Sequence, residues 1–306
     1  MMSFNFRNDR FATYAPQAGR FDGSARALTE EELRQLAPSI FATEAHASRS
    51  ERFRVIPTIE ILRGLQKEGF SPVGAKQSTS RDVTKTDFTK HMIRLRRLDD
   101  GRSYQVGDTV AEIILKNAND GTSAYDLMSG LFRIACLNSL VTQTKTLDSV
   151  KVRHSGDAIG NVIEGTYRVL GETEKVLAAP QDWSGIQLSL PQRMAFAEAA
   201  HVARFGDAEG ATTPPIKPEQ LLNVRRQEDA GRDLWTTLNV VQENVIRGGL
   251  HGRTDATRDE RGRLHRGRRV TTRPVNGIDQ DVKLNKALWV LSERMAELAR
   301  SQRVAA

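Results

Sequence analysis

The sequence predicts an α+β fold: a mainly antiparallel β-sheet with packed helices, and a helical C-terminal part that carries an arginine-rich loop. Three observations lead there. Residues 88–98 alternate in character, with Ile93 and Leu95 set against Arg94 and Arg96, and Asp99-Asp100-Gly101 supplies a turn directly afterwards. The neighbouring apolar stretches follow after short connections, which antiparallel strands permit and parallel strands do not. From residue 158 onward the period lengthens to that of a helix, most clearly in Leu234, Leu238, Val241 and Val245 and again in Leu284, Leu288, Leu291, Met295 and Leu298.

In chain order, residues 1–28 mix Gly, Asn, Arg and isolated aromatics without a period and read as an irregular N-terminal arm. Residues 29–206 are expected to form the α+β core. Thr29 and Glu32 have capping-box spacing, in which each side chain satisfies the other's free backbone N–H, and the short helix so begun stops at Pro38. Pro57 and Thr58 open a second helix with Ile61, Leu62 and Leu65 on its apolar face and Gly69 at its end. Strands are expected at 70–80, 88–98, 103–107, 109–116 and 150–154. A helix is expected at 123–137, with Asp120 or Thr122 as its cap. Ile159, Ile163, Thr166 and Leu170 trace a further helical face, and Ser189 with Pro191 starts a helix that ends at Gly206. Residues 207–306 form the helical part. Pro214, Pro215 and Pro218 mark a loop, a short helix holds Leu221 and Leu222, and the two patterned helices flank an Arg/Gly-rich loop at 247–277.

With 306 residues, of which 39% are hydrophobic and 27% charged, the chain has the composition of a globular protein. It contains no apolar run of the roughly 18 to 20 residues that a bilayer span needs, and residues 1–20 lack a signal-like stretch, so a cytoplasmic protein without a membrane partner is expected. Cys136 is the only cysteine, which excludes an intrachain disulfide and a cysteine zinc cluster; its apolar surroundings at 131–140 suggest a buried structural thiol. His46, His91, His154, His201, His251 and His265 form no His-Glu-x-x-His pattern, and no phosphate loop is present. Asn117, Asn119, Asp120 and Gly121 read as capping and a tight turn. No catalytic residue, metal or cofactor is therefore expected, and the chain reads as non-enzymatic.

The net charge of +7 is concentrated. Residues 247–273 hold nine arginines against Asp255, Asp259 and Glu260, which accounts for +6 of it. Arginines at this density repel one another unless anions sit among them, and their planar fork of donors suits phosphate oxygens. Arg253, Arg258, Arg261, Arg263, Arg266, Arg268, Arg269 and Arg273 are the candidate phosphate contacts. Arg94 and Arg96, with Lys90, are expected on the outer face of their strand, and Lys151 and Arg153 on that of theirs, as a secondary basic platform. Aromatic side chains for base stacking are not evident on those faces, so the pattern supports affinity without sequence readout.

Several segments also resemble a known family. Asn117-Ala-Asn-Asp-Gly-Thr-Ser-Ala124, Gly130-Leu-Phe-Arg-Ile-Ala-Cys-Leu-Asn138, Val152-Arg-His-Ser-Gly156, Val162-Ile-Glu-Gly165, Gln242-Glu-Asn-Val-Ile-Arg-Gly-Gly249 and Val270-Thr-Thr-Arg-Pro-Val-Asn-Gly-Ile-Asp279 are similar to the phage- and plasmid-borne domain of unknown function 932. The likeness spans about residues 50–300, and Asn119 stands where many relatives would carry histidine. It implies a mobile-element setting. The order of meander, helix and basic faces is loosely similar to single-strand annealing recombination proteins, which form rings, and this leaves a homo-oligomer open.

These readings converge on non-catalytic binding of nucleic acid, single-stranded DNA in the first instance, in recombination, replication or maintenance of a phage or plasmid. The alternatives are an interaction or anti-defence factor that binds an acidic host protein and, third, a metal-dependent nuclease.

Overall fold

The computed structural model describes residues 26–44, 57–80, 82–98, 108–120, 122–133, 139–141, 149–153, 157–206, 216–254 and 256–304. The bulk of the expected N-terminal arm, the strand expected at 103–107 and Cys136 lie outside them. The chain divides into two compact units, Met1–Leu177 and Ala178–Ala306. The boundary expected at 206/207 thus falls earlier, because the helix that ends at Gly206 packs with the C-terminal helices.

The first unit opens with α1 (Glu30–Leu36), whose capping box is present: Glu32 N–H donates to Thr29 Oγ1 at 3.2 Å and Thr29 N–H donates to the Glu32 carboxylate at 2.9 Å. Helix α2 (Thr58–Lys67) buries Ile59, Ile61, Leu62 and Leu65, and Gly69 turns the chain out of it at φ +85°. The sheet consists of β1 (Phe70–Gln77), β2 (His91–Arg97), β3 (Thr109–Ala118), β4 (Ser123–Arg133), β5 (Ser139–Val141) and β6 (Val150–Val152). β1 to β4 form an antiparallel meander, as expected of the first three, and β5 and β6 both pair with β4. Helix α3 (Ala158–Leu177) lies with α2 over one face of the sheet, burying Ile93, Leu95, Ile113, Leu115 and Leu127 against Val162 and Val169. A Cβ on Gly165 would come within 2.8 Å of Leu127 and 2.9 Å of Val150, so glycine there lets α3 settle onto the sheet.

Residues 123–133 form strand β4, not the start of the expected helix. The spacing of Leu127, Met128, Leu131 and Phe132 fits either period, and all four are buried because both faces of β4 are covered, so the strand shows no polar alternation. Asp120 caps a turn in place of a helix: its Oδ1 accepts from Thr122 N at 2.9 Å and from Thr122 Oγ1 at 2.5 Å.

A buried polar network stitches α2 to the sheet. Thr58 Oγ1 lies 3.0 Å from His91 Nε2 and accepts from Asn117 Nδ2 at 3.0 Å, while His91 Nδ1 lies 2.9 Å from Ser39 Oγ. Asn119 Nδ2 donates to the Ser39 carbonyl at 2.8 Å. Ser39, Thr58, His91, Asn117 and Asn119 are fully buried, so the Asn-x-Asn element serves to hold the core together.

The second unit contains α4 (Ala179–Ser184), α5 (Leu190–Phe205), α6 (Leu234–Arg247) and α7 (Ile278–Val304). Ser189 and Gln192 form a capping box at the start of α5, and Asp233 caps α6 by accepting from Thr236 N at 2.8 Å. The two patterned helices pack on each other, with Gln242 Nε2 donating to Asn285 Oδ1 at 2.9 Å across the seam. All three tryptophans of the chain, Trp183, Trp235 and Trp289, cluster here, Trp183 lying 4.5 Å from Trp289 and 6.3 Å from Trp235 between ring centroids. Among the described residues, no helix is long and apolar enough to cross a membrane.

Candidate nucleic-acid interface

The arginine-rich segment is an antiparallel ribbon and not the expected loop. Its base pairs β7 (His251–Arg253) with β10 (Arg269–Thr271), and its outer part pairs β8 (Thr257–Arg258) with β9 (Leu264–His265). In the base His251 stands opposite Thr271, and in the outer part Arg258 stands opposite Leu264.

The tip is built by local chemistry. Gly262 N–H donates to the Asp259 carbonyl at 2.9 Å and Asp259 N–H to the Arg263 carbonyl at 3.1 Å, closing a turn whose last position, Gly262, has φ +74°. The Asp259 carboxylate accepts from the backbone N–H groups of Arg263 at 2.8 Å and Arg261 at 3.0 Å, and its other oxygen lies 3.1 Å from His265 Nε2. The Arg263 N–H and the His265 ring, with the Arg261 N–H, hold this carboxyl below its usual range. One of the few acids in the segment is thereby committed to folding the turn.

The base is anchored to α6. Gly248 and Gly249 take φ +63° and +79°, and a Cβ on Gly248 would meet the Thr272 carbonyl oxygen at 2.6 Å. Gly249 N–H donates to Thr272 O at 2.8 Å, and Val275 N–H donates to Ile246 O at 2.8 Å. Arg204 donates to the Val245 carbonyl at 3.3 Å and the Arg273 carbonyl at 3.0 Å, while Arg225 donates to Asn244 Oδ1 at 2.8 Å and also to the Gly248 carbonyl. Burial lowers the pKa of both arginines from the ordinary guanidinium value. These two supports carry no distinctive sequence signal, since each binds backbone carbonyls remote in the chain.

All eight candidate arginines of the segment, Arg253, Arg258, Arg261, Arg263, Arg266, Arg268, Arg269 and Arg273, are exposed. Among the described residues, none of their guanidiniums is paired with a carboxylate. Arg247 differs: it binds the buried Glu243 at 2.7 Å, and Arg226 binds the same carboxylate. Arg253 and Arg269 stand directly opposite each other in the ladder, beside His251 and Thr271, and this face bounds a hollow of about 620 Å³.

Two of the secondary candidates, Arg94 and Arg96, are corrected. Alternation does set them on the sheet face opposite Ile93 and Leu95, but that face is buried, with Arg94 0% and Arg96 4% exposed. The reason is Glu112 on the adjacent strand. Arg94 Nε and Nη2 donate to its two oxygens at 2.6 and 2.7 Å, Arg96 Nη2 donates at 2.6 Å, and Arg94 stacks 4.0 Å from the Phe132 ring centre. Burial raises the Glu112 carboxyl, yet the two arginines outweigh it and hold the pKa below the ordinary value. They are an interior ion-pair group, closed to a ligand.

Lys151 and Arg153 are exposed, as expected. With Asn161 and Arg168 of α3 they line a groove of about 270 Å³ that also contains Glu164. Arg168 was not singled out in the sequence, although it lies seven residues after Asn161 and so shares its helical face. The groove is smaller than the ribbon hollow and carries a carboxylate, which makes it the weaker candidate. Among the described residues, no group of three or more His, Cys, Asp or Glu side chains is placed to hold a metal ion.

Residues 45–289 match the family described as domain of unknown function (DUF932), and the chain belongs to that family. It is similar to the UPF0380 proteins YfjQ and YafZ of Escherichia coli (strain K12), each 44% identical over 270 residues that cover 88% of this chain and 92% of the relative. No solved structure matches the chain.

Proposed function

We propose that the protein is a non-catalytic nucleic-acid-binding protein whose contact element is the ribbon 251–271, with Arg273 at its root. The observation that carries this reading is the exposure of eight arginines, none paired with a carboxylate among the described residues, on an arm whose tip and base are held by hydrogen bonds. Like charges held together on a folded element cost stability, and a polyanion repays that cost by supplying closely spaced phosphates. Handling DNA in replication, recombination or maintenance of a mobile element is the role this reading suits.

The test is a salt titration of binding to single- and double-stranded oligonucleotides. Neutralising about six phosphates makes log K fall with log salt at a slope of about −4 on a single strand and about −5 on a duplex. Replacing Arg261, Arg263, Arg266, Arg268 and Arg269 by alanine removes most of that slope and the affinity with it. Unchanged affinity in this variant would sink the reading; tight retention of an acidic protein without salt-dependent retention of DNA would replace it with a protein partner.

A further inference from the structure

Resting on that reading, we infer that the ribbon seats in the major groove of duplex DNA, with arginines from both of its faces reaching the two flanking phosphate chains. The argument begins with the register. Arg253 and Arg269 are direct partners and share one face; side chains alternate along a strand, so Arg268 next to Arg269 takes the other face, its carbonyl accepting from Thr254 N–H, and Arg263, whose carbonyl accepts from Asp259 N–H in the same way, goes with it. Each face thus carries at least two exposed guanidiniums. A flat acidic protein surface, or one strand laid along the arm, meets one face and leaves the other unsatisfied. A groove walled by phosphates on both sides satisfies both.

Dimensions agree. The eight steps from His251 to Asp259 extend up to about 26 Å at roughly 3.3 Å per residue, under one helical turn of about 34 Å. The major groove of B-form DNA, about 12 Å wide, admits a two-stranded ribbon, whereas the minor groove, about 6 Å wide, does not, and the major groove of A-form RNA is too narrow. The ribbon has no Phe, Tyr or Trp on which unpaired bases could stack. Beside the turn, opposite Arg258, Leu264 is 58% exposed and offers an apolar contact of the kind that thymine methyl groups take at the groove floor.

The experiment measures anisotropy of the full chain with a B-form duplex, one of its strands, the same sequence as duplex RNA, and a duplex whose cytosines carry glucosylated 5-hydroxymethyl groups that fill the major groove. The inference expects the plain duplex to bind at least tenfold tighter than the single strand or the RNA. It expects the glucosylated duplex to lose at least tenfold, and netropsin, which occupies the minor groove, to displace nothing. The double variants Arg253→Ala with Arg269→Ala, and Arg263→Ala with Arg268→Ala, are each expected to lower the magnitude of the salt slope on duplex by about 1.8, two phosphate contacts' worth. Tryptophan emission from the Trp183, Trp235 and Trp289 cluster confirms that both variants are folded. Equal or tighter single-strand binding, displacement by netropsin, or a slope that responds to only one face's pair overturns the groove while leaving nucleic-acid binding in place. Failure to bind any of the four probes overturns the underlying reading.

Discussion

Arg253 and Arg269 face each other across the ladder at the base of the ribbon, both exposed. Two like charges in direct cross-strand register weaken a sheet by roughly 0.2 to 1 kcal/mol relative to a neutral pair. A ribbon selected for stability alone would not place them so.

The pair therefore carries a trade between stability and binding. Arg269→Thr removes the repulsion and installs a good strand former, so the amide of Gly252, opposite Val270, is expected to exchange with deuterium more slowly. The same variant binds nucleic acid more weakly at low salt. Faster exchange at Gly252 would show that the two guanidiniums stabilise the ladder rather than strain it.

Glu112 holds the other arginine group of the chain. Glu112→Gln leaves Arg94 and Arg96 buried without their counter-charge, and the expected loss from the first unit is about 3 to 5 kcal/mol. The wild-type interaction depends on pH with a definite sign. The folded carboxyl sits below its ordinary value of 4.5, so its contribution is full above pH 4.5 and is lost as pH falls through the lower folded value. Denaturation followed by far-ultraviolet circular dichroism between pH 7 and 3 checks both points. In the Gln variant this acid-dependent component should be gone.

Gly248 sets the root of the ribbon. Gly248→Ala places a Cβ 2.6 Å from the Thr272 carbonyl oxygen at a residue with φ +63°, which costs more than about 1 kcal/mol. Because all three tryptophans lie in the second unit, urea denaturation followed by their emission reports this loss. DNA affinity should fall too, although no charge has been removed, because the arm loses its fixed exit from α6. Wild-type affinity in a destabilised variant would mean that the arm binds without a rigid root.

Local signals in the sequence are legible where short-range chemistry decides the structure. Thr29 with Glu32 caps a helix through bonds that span three residues, Ser189 with Pro191 opens another, and Gly69 and Gly206 end helices by a conformation that glycine adopts without strain. The ribbon tip was equally local. Asp259 followed by Gly262 has the spacing of a turn with aspartate at its first position and glycine at its last, a signal hidden among the surrounding arginines. The strands on either side were not legible, because a ribbon exposed on both faces shows no apolar alternation.

The sequence by itself determined where the positive charge lies, that the N-terminal part builds a meander, and that α6 and α7 must bury apolar stripes. It also determined that Arg94 and Arg96 share a face. Only the tertiary structure decided that this face is interior, since a two-residue period sorts side chains into two faces without saying which one meets water. Pairing with β3 brings Glu112 under both guanidiniums and turns expected ligand contacts into core ion pairs. The same limit hid β4, covered on both sides, and concealed the ribbon, covered on neither. Burial is a relation between segments distant in the chain, and hydrophobic periodicity records it only when one face is wet and the other dry.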